Sequence, residues 1–273
     1  MSPSPYLLIT GIPRSGTTLT AALVDRLRDS LCLNEPPRHY TWTVRSRDRA
    51  EFISRCLADL AQMRSSLAAG GTVVDRREHN GTAPCNYFVD GGGRRPLKFR
   101  PVGRPGSGGR LLLALKHNEP FTAVLPELCE LDCLRILAIV RHPVPTILSW
   151  QSRQIPLTSG SLSPGYRFWP EAIAVRDARN SVDELQVRIF ELYCQRYWEC
   201  RSRAAVVKYE DLIADSSVLE RLTGRQFTTF DRLATQNHKF SAPGSGDQIE
   251  PLRALMRKHF DFAFRFYPDL ETW

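Results

Sequence analysis

The sequence predicts an α/β fold built on a mainly parallel sheet. Two observations predict it. Apolar runs of strand length alternate with longer segments whose apolar residues recur at helical spacing. A glycine-containing turn also joins the first run directly to the first helical segment. With 273 residues, 42% of them hydrophobic, and no internal repeat, the chain suits a single domain over 1–273.

The elements follow in order. Residues 6–10 read as a short buried strand. Residues 17–29 read as a helix with Leu19, Ala22, Leu23 and Leu27 on one face. Residues 47–68 form a second amphipathic pattern through Phe52, Ile53, Cys56, Leu57 and Leu60. Residues 111–115 and 135–140 are continuous apolar runs, with a helical segment over 122–131 between them. A long helix is expected over 182–200, a strand over 205–208 and a closing helix over 248–266.

Two stretches interrupt this alternation. Residues 80–110 are rich in Gly, Pro and Arg and read as an insertion. Residues 155–170, rich in Ser, Pro and aromatics, read either as a lid on the acceptor side of a site or as surface decoration.

The net charge of +8 is unevenly spread. Arg94, Arg95, Lys98, Arg100, Arg104 and Arg110 lie within 91–110 with no acid among them, and the remaining 31 basic and 29 acidic residues nearly cancel. Seven cysteines at irregular spacing, with no C-x-x-C, indicate free thiols in a reducing compartment rather than a zinc or dithiol site. No secretory signal and no apolar run long enough to span a bilayer is evident, so a cytoplasmic location is expected.

The chemistry concentrates in a few short patterns. Gly11-Ile12-Pro13-Arg14-Ser15-Gly16-Thr17-Thr18 has the glycine spacing of the phosphate-binding P-loop, with Thr17 where its lysine belongs. Backbone N–H groups at a helix N-terminus still suit phosphate oxygens, and the Arg14 fork supplies a cation from another position. The run 137–140 ends in Arg141-His142-Pro143, where Mg²⁺-dependent phosphoryl-transfer enzymes commonly place an aspartate. A cation there suggests a second phosphate, not a metal.

These residues resemble the PAPS-dependent sulfotransferases, whose donor is 3′-phosphoadenosine-5′-phosphosulfate. Residues Pro13 to Thr18 are similar to their 5′-phosphosulfate loop. Arg141-His142-Pro143 with Ser149 resembles their 3′-phosphate motif, and Lys208-Tyr209-Glu210-Asp211-Leu212 their Tyr-Glu-Asp-Leu segment. The three occur in family order. The resemblance implies a three-layer, nucleotide-kinase-like domain with about five parallel strands between helices. It implies donor contacts from Pro13, Arg14, Ser15, Gly16, Thr17, Thr18, Arg141 and Ser149, with Tyr209 facing the adenosine. Residues 237–246 lie where the family has a basic, glycine-containing segment over the 3′-phosphate. Its Arg-Lys-Gly pattern is absent, leaving Lys239 and Ser241 as candidates.

Sulfuryl transfer to a hydroxyl, or less favourably an amine, needs a base. Glu35 precedes Pro36, and the resemblance offers it because protein-tyrosine sulfotransferases carry a glutamate base in a comparable place. His117 resembles the histidine of a Lys-x-His segment but stands one place early, with Asn118 in the expected position. Glu78, before the insertion, is a third candidate, and Lys116 a second cation for the reacting oxygens. The resemblance implies PAPS as donor, PAP as product, no required metal, and a small-molecule or carbohydrate acceptor. Oligomeric state is left open. Competing readings are a P-loop phosphotransferase or nucleotide hydrolase, and a non-enzymatic nucleic-acid binder acting through 91–110.

Overall fold

The computed structural model describes residues 4–88, 93–104, 106–228 and 246–269. The chain runs β1 (Tyr6–Gly11), α1 (Thr17–Asp25), β2 (Ser30–Asn34), α2 (Pro37–Arg45), α3 (Arg49–Ala68) and β3 (Val73–Arg77). It continues through β4 (Lys98–Val102), β5 (Leu112–Lys116), α4 (Asn118–Ala123), α5 (Leu125–Cys129), β6 (Leu134–Val140), α6 (Pro143–Gln151) and α7 (Pro170–Asp177). It ends with α8 (Val182–Cys200), β7 (Ala205–Lys208), α9 (Tyr209–Ala214), α10 (Val218–Thr223), α11 (Gly246–His259) and α12 (Phe262–Phe266).

Five strands form one parallel sheet in the order β2-β5-β1-β6-β7. Alternate side chains of each strand enter different cores, as strand geometry requires. Leu8, Leu113, Leu115, Ala138 and Val140 face one layer, which includes Phe52, Phe121, Ile147, Ile189 and Met256. Leu7, Ile9, Ala114, Leu137 and Ile139 face the other, with Leu23, Val24, Leu212 and Leu219. The result is the expected three-layer α/β fold. It brings the carboxyl ends of all five strands to one edge, where such sheets hold ligands.

The differences from expectation have local causes. Helix α1 stops at Asp25, short of 29, because residues 26–28 pair with 226–228. Arg28 N–H donates to Gln226 O at 2.9 Å and Thr228 N–H to Arg26 O at 3.0 Å. The stretch after it is strand β2. The helix expected over 122–131 begins instead at Asn118 and breaks at Val124, after which α5 starts at Leu125 with Pro126 in its first turn. The closing helix is also two. The Glu191 carboxylate accepts N–H groups of Asp261, Phe262 and Ala263 at 2.7–2.9 Å and starts α12.

The antiparallel hairpin of β3 and β4 had no apolar pattern to announce it, because its inward residues are charged. Arg77, 1% exposed, lies 2.8 Å from both Asp25 and Asp75, and Arg104 lies 3.0 Å from Asp25. Asp75 also accepts the Asn34 N–H at 2.9 Å, fastening the hairpin to edge strand β2. Burial outweighs Arg77 and pushes the Asp75 carboxyl up to about 6. Three arginines of the basic insertion are therefore committed within the chain: Arg104 to Asp25, Arg95 to Glu78 and Arg110 to Asp29.

In the other interrupting stretch, Leu157, Tyr166, Phe168 and Trp169 are buried in the core. Gly165 is packed so closely that an added Cβ would lie 2.8 Å from Glu119. All seven cysteines are free; Cys85 and Cys133 are exposed and the other five buried. Among the described residues no helix is long and apolar enough to cross a membrane.

Candidate active site

The turn after β1 is shaped by its glycines. At Gly16, φ is +94° and an added Cβ would sit 2.5 Å from the Tyr209 ring. At Gly11 an added Cβ would sit 2.5 Å from Thr17 Cγ2 and 2.6 Å from Ile139 O. Neither position admits a larger residue without displacing its neighbours. Ser15 is fully buried and its Oγ donates to Ile139 O at 2.8 Å, while Trp150 Nε1 donates to Pro13 O at 2.7 Å. These bonds pin the loop between β6 and α6. No side chain caps α1, and its first turn, opened by Thr17 and Thr18, carries no acid. Such an end favours an anion.

Arg14 is held in the left-handed region at φ 71° and Glu35 at φ 55°. Such strain, of order 1 kcal/mol, persists only where surrounding contacts impose it. Arg14 Nε donates to Ser149 Oγ at 3.2 Å, and Arg141 Nη1 donates to the Arg14 carbonyl at 3.1 Å. The Arg141 guanidinium lies 4.7 Å from the Tyr209 ring centroid. Tyr209 is thus buried between Gly16 and Arg141. The structure therefore joins the glycine loop, the Arg141/Ser149 pattern and the Tyr209 segment at one place. Burial, then Arg153 and Arg141, lower the Arg14 pKa to about 10.

A second group lies at the ends of β2 and β5, β5 being next to β1. Lys116 Nζ is 2.5 Å from Glu35 Oε1, and the Glu35 N–H donates to Lys116 O at 3.0 Å. Burial works to raise the Glu35 pKa, but Lys116, His117 and Arg76 outweigh it and hold it below the usual value. His117 is buried, its Nδ1 has no hydrogen-bond partner among the described residues, and desolvation lowers its pKa to about 4 despite Glu35. It is therefore neutral at pH 7. Nearby His39 is also held neutral, its pKa lowered to about 3 first by burial and then by His117 and Arg38. Desolvation, then Glu35, raises the pKa of Glu119.

Glu78 is placed elsewhere: it closes a turn with Thr82 and pairs with Arg95 at 3.2 Å. Lys239 and Ser241 lie outside the described residues. Sequence reasoning missed Arg153, Phe88, His39 and Glu119. Arg153 had no signal of its own, since it lies past the end of α6. Phe88 had none. Among the described residues no cluster of His, Cys, Asp or Glu is arranged to hold a metal ion.

No family model matches the chain, and no curated protein matches it. Among solved structures it is similar to a sulfotransferase domain from the curacin biosynthetic pathway, at 14% identity and TM-score 0.40, covering 88% of this chain and 83% of that one. It is also similar to a sulfotransferase from Alicyclobacillus acidocaldarius, at 14% identity and TM-score 0.42, covering 96% of this chain and 97% of that one. A sulfotransferase from Mycobacterium tuberculosis matches at 15% identity and TM-score 0.41, over 92% of this chain and 75% of that one. Likeness at this level says nothing of donor, acceptor or catalytic residues.

Proposed function

We propose that the protein is a PAPS-dependent sulfotransferase that moves a sulfuryl group to a hydroxyl of a small-molecule or carbohydrate acceptor without a metal. One observation carries the reading. Two separate anion-binding elements are bonded to each other, Arg14 to Ser149 and Arg141 to Arg14, beside a buried Lys–Glu pair. That spacing of cations suits a nucleotide with phosphate groups at both ends of its ribose.

The donor supplies an activated sulfuryl group on a good leaving group. The chain's residues do the rest. Pro13, Ser15, Gly16, Thr17 and Thr18 form the rigid cradle for the 5′ end, Arg141 and Ser149 hold the 3′-phosphate, and Tyr209 supports Arg141. Arg14 spans the two ends. Lys116 offsets negative charge on the reacting oxygens. Glu35 accepts the acceptor's proton as its oxygen attacks sulfur and the sulfur–oxygen bond to the 5′-phosphate breaks. Lys116 is the switch in this scheme: while it bonds Glu35 the carboxylate is a poor base, and its movement to an anionic donor restores basicity. His117, neutral and with no hydrogen-bond partner at Nδ1 among the described residues, is the second candidate for the proton. The turn Pro164–Phe168, packed on α4 near Glu119, borders the acceptor side, while the turn Pro156–Ser159 packs on α6 and α8.

The test is PAP release from PAPS across a panel of phenol, sugar and alcohol acceptors in excess EDTA. Transfer that survives chelation is expected. No release with any acceptor, or tight Mg²⁺-dependent ATP binding instead, would overturn the reading.

A further inference from the structure

The charge around Arg14 is unbalanced in a way the loop alone does not explain. Arg153 lies two residues beyond α6, the helix that carries Ser149, and its N–H donates to Trp150 O at 3.4 Å. Its guanidinium carbon is 5.6 Å from the centroid of the Phe88 ring, and that of Arg14 is 4.8 Å from the same centroid. The exposed Arg94 also reaches that ring, at 6.0 Å, so one buried aromatic ring holds three cations, the half-buried pair Arg14 and Arg153 among them. Among the described residues neither of that pair has a carboxylate partner, and Arg153 Nε is buried with no hydrogen-bond partner. Other half-buried arginines meet acids, as at Arg49–Glu127 and Arg104–Asp25, or carbonyl oxygens, as at Arg135 and Arg225. Two desolvated like charges on one ring are costly unless an anion joins them.

The position says which anion. Arg153 follows α6, the helix that carries Ser149, and shares the Phe88 ring with Arg14, which bonds that serine; Lys116 and Glu35 pair with each other at the ends of β5 and β2. On the donor, the two groups of the 5′-phosphosulfate carry about one charge each, whereas a phosphate monoester carries close to two at neutral pH. The monoester is the group that calls for an extra fork-shaped cation.

We infer that Arg153 is a further donor-binding residue, held beside Arg14 and Ser149 by the Phe88 ring, that grips the dianionic 3′-phosphate. This rests on the proposed donor. Arg153 thereby sets the preference for a nucleotide with both a 3′- and a 5′-phosphate over one with a 5′-phosphate alone.

The experiment is calorimetric titration of wild type, Arg153→Gln and Arg153→Lys with PAP and, separately, with adenosine 5′-phosphate. Each apo protein is also melted. Wild type is expected to prefer PAP. R153Q should lose about 10-fold or more in PAP affinity while adenosine 5′-phosphate binding stays unchanged. R153K should recover part of the preference. The apo melting temperature of R153Q should hold or rise, because a repulsion has been removed. Equal loss for both nucleotides, no loss for either, or a clear fall in apo stability would overturn the assignment of Arg153. Wild type that binds no PAP would instead sink the proposed donor, and the inference with it.

Discussion

Two groups of buried and half-buried arginines in this molecule are built on opposite principles. At the hairpin edge, Arg77 and Arg104 meet Asp25 and Asp75 at 2.8–3.0 Å. At the carboxyl ends of β1 and β6, Arg14 meets a serine hydroxyl, an aromatic ring and other arginines. The first group is complete within the chain and holds it together. In the second, Arg14 has no carboxylate partner among the described residues, and the proposed donor would supply the anion. Where a chain pays for burying a cation and supplies no acid, the missing partner is the clue to function.

That contrast can be broken at either end. The largest effect belongs to the closed network: Arg77→Ala leaves Asp75 buried without its cation and Asp25 with Arg104 alone, and should cost about 3–5 kcal/mol in a denaturant melt. A cost near that of a surface change, below about 0.5 kcal/mol, would mean the hairpin is not anchored by charge.

Acid titration sharpens the contrast next. His117 is held at about 4 in the fold against a reference near 6.5, so the unfolded chain binds the extra proton between those values. Stability from this group is complete above pH 6.5 and is lost as the pH falls towards 4, by up to about 3 kcal/mol. Asp75, raised to about 6, acts with the opposite sign between about 4 and 6 and offsets part of the loss. His117→Asn should therefore flatten the fall in stability from pH 7 to 4.5. An unchanged slope would place His117 in contact with water.

Glu35→Gln tests the half-open pair between the two extremes. It should lower kcat about 100-fold with PAPS binding nearly unchanged. Loss of melting temperature with kcat retained would return Glu35 to a purely structural role beside Lys116.

The apolar strands made the fold legible. Runs such as 135–140, buried on both faces, leave little ambiguity, and α8 and β7 fall at the residues the pattern marks. The hairpin was not legible, because Asp75 and Arg77 occupy inward positions that the pattern rule reserves for apolar residues. Half of the site could be read because its residues sit in short contiguous motifs at strand ends. Nothing local marks Phe88, whose role depends on chain brought back from a distant insertion. His117 and Glu35 could be named from sequence, but the pairing of Glu35 with Lys116 follows from the register of β2 against β5.

The measurement that bears most directly on the uncompensated cluster needs no acceptor. Wild type and Arg14→Ala are titrated with PAP, and both are melted without ligand. We expect one PAP per wild-type chain, PAP affinity lowered about 100-fold or more in R14A, and an apo melting temperature no lower than that of wild type. Equal PAP affinity in the two proteins, or a variant that loses its fold instead of its ligand, would contradict the account.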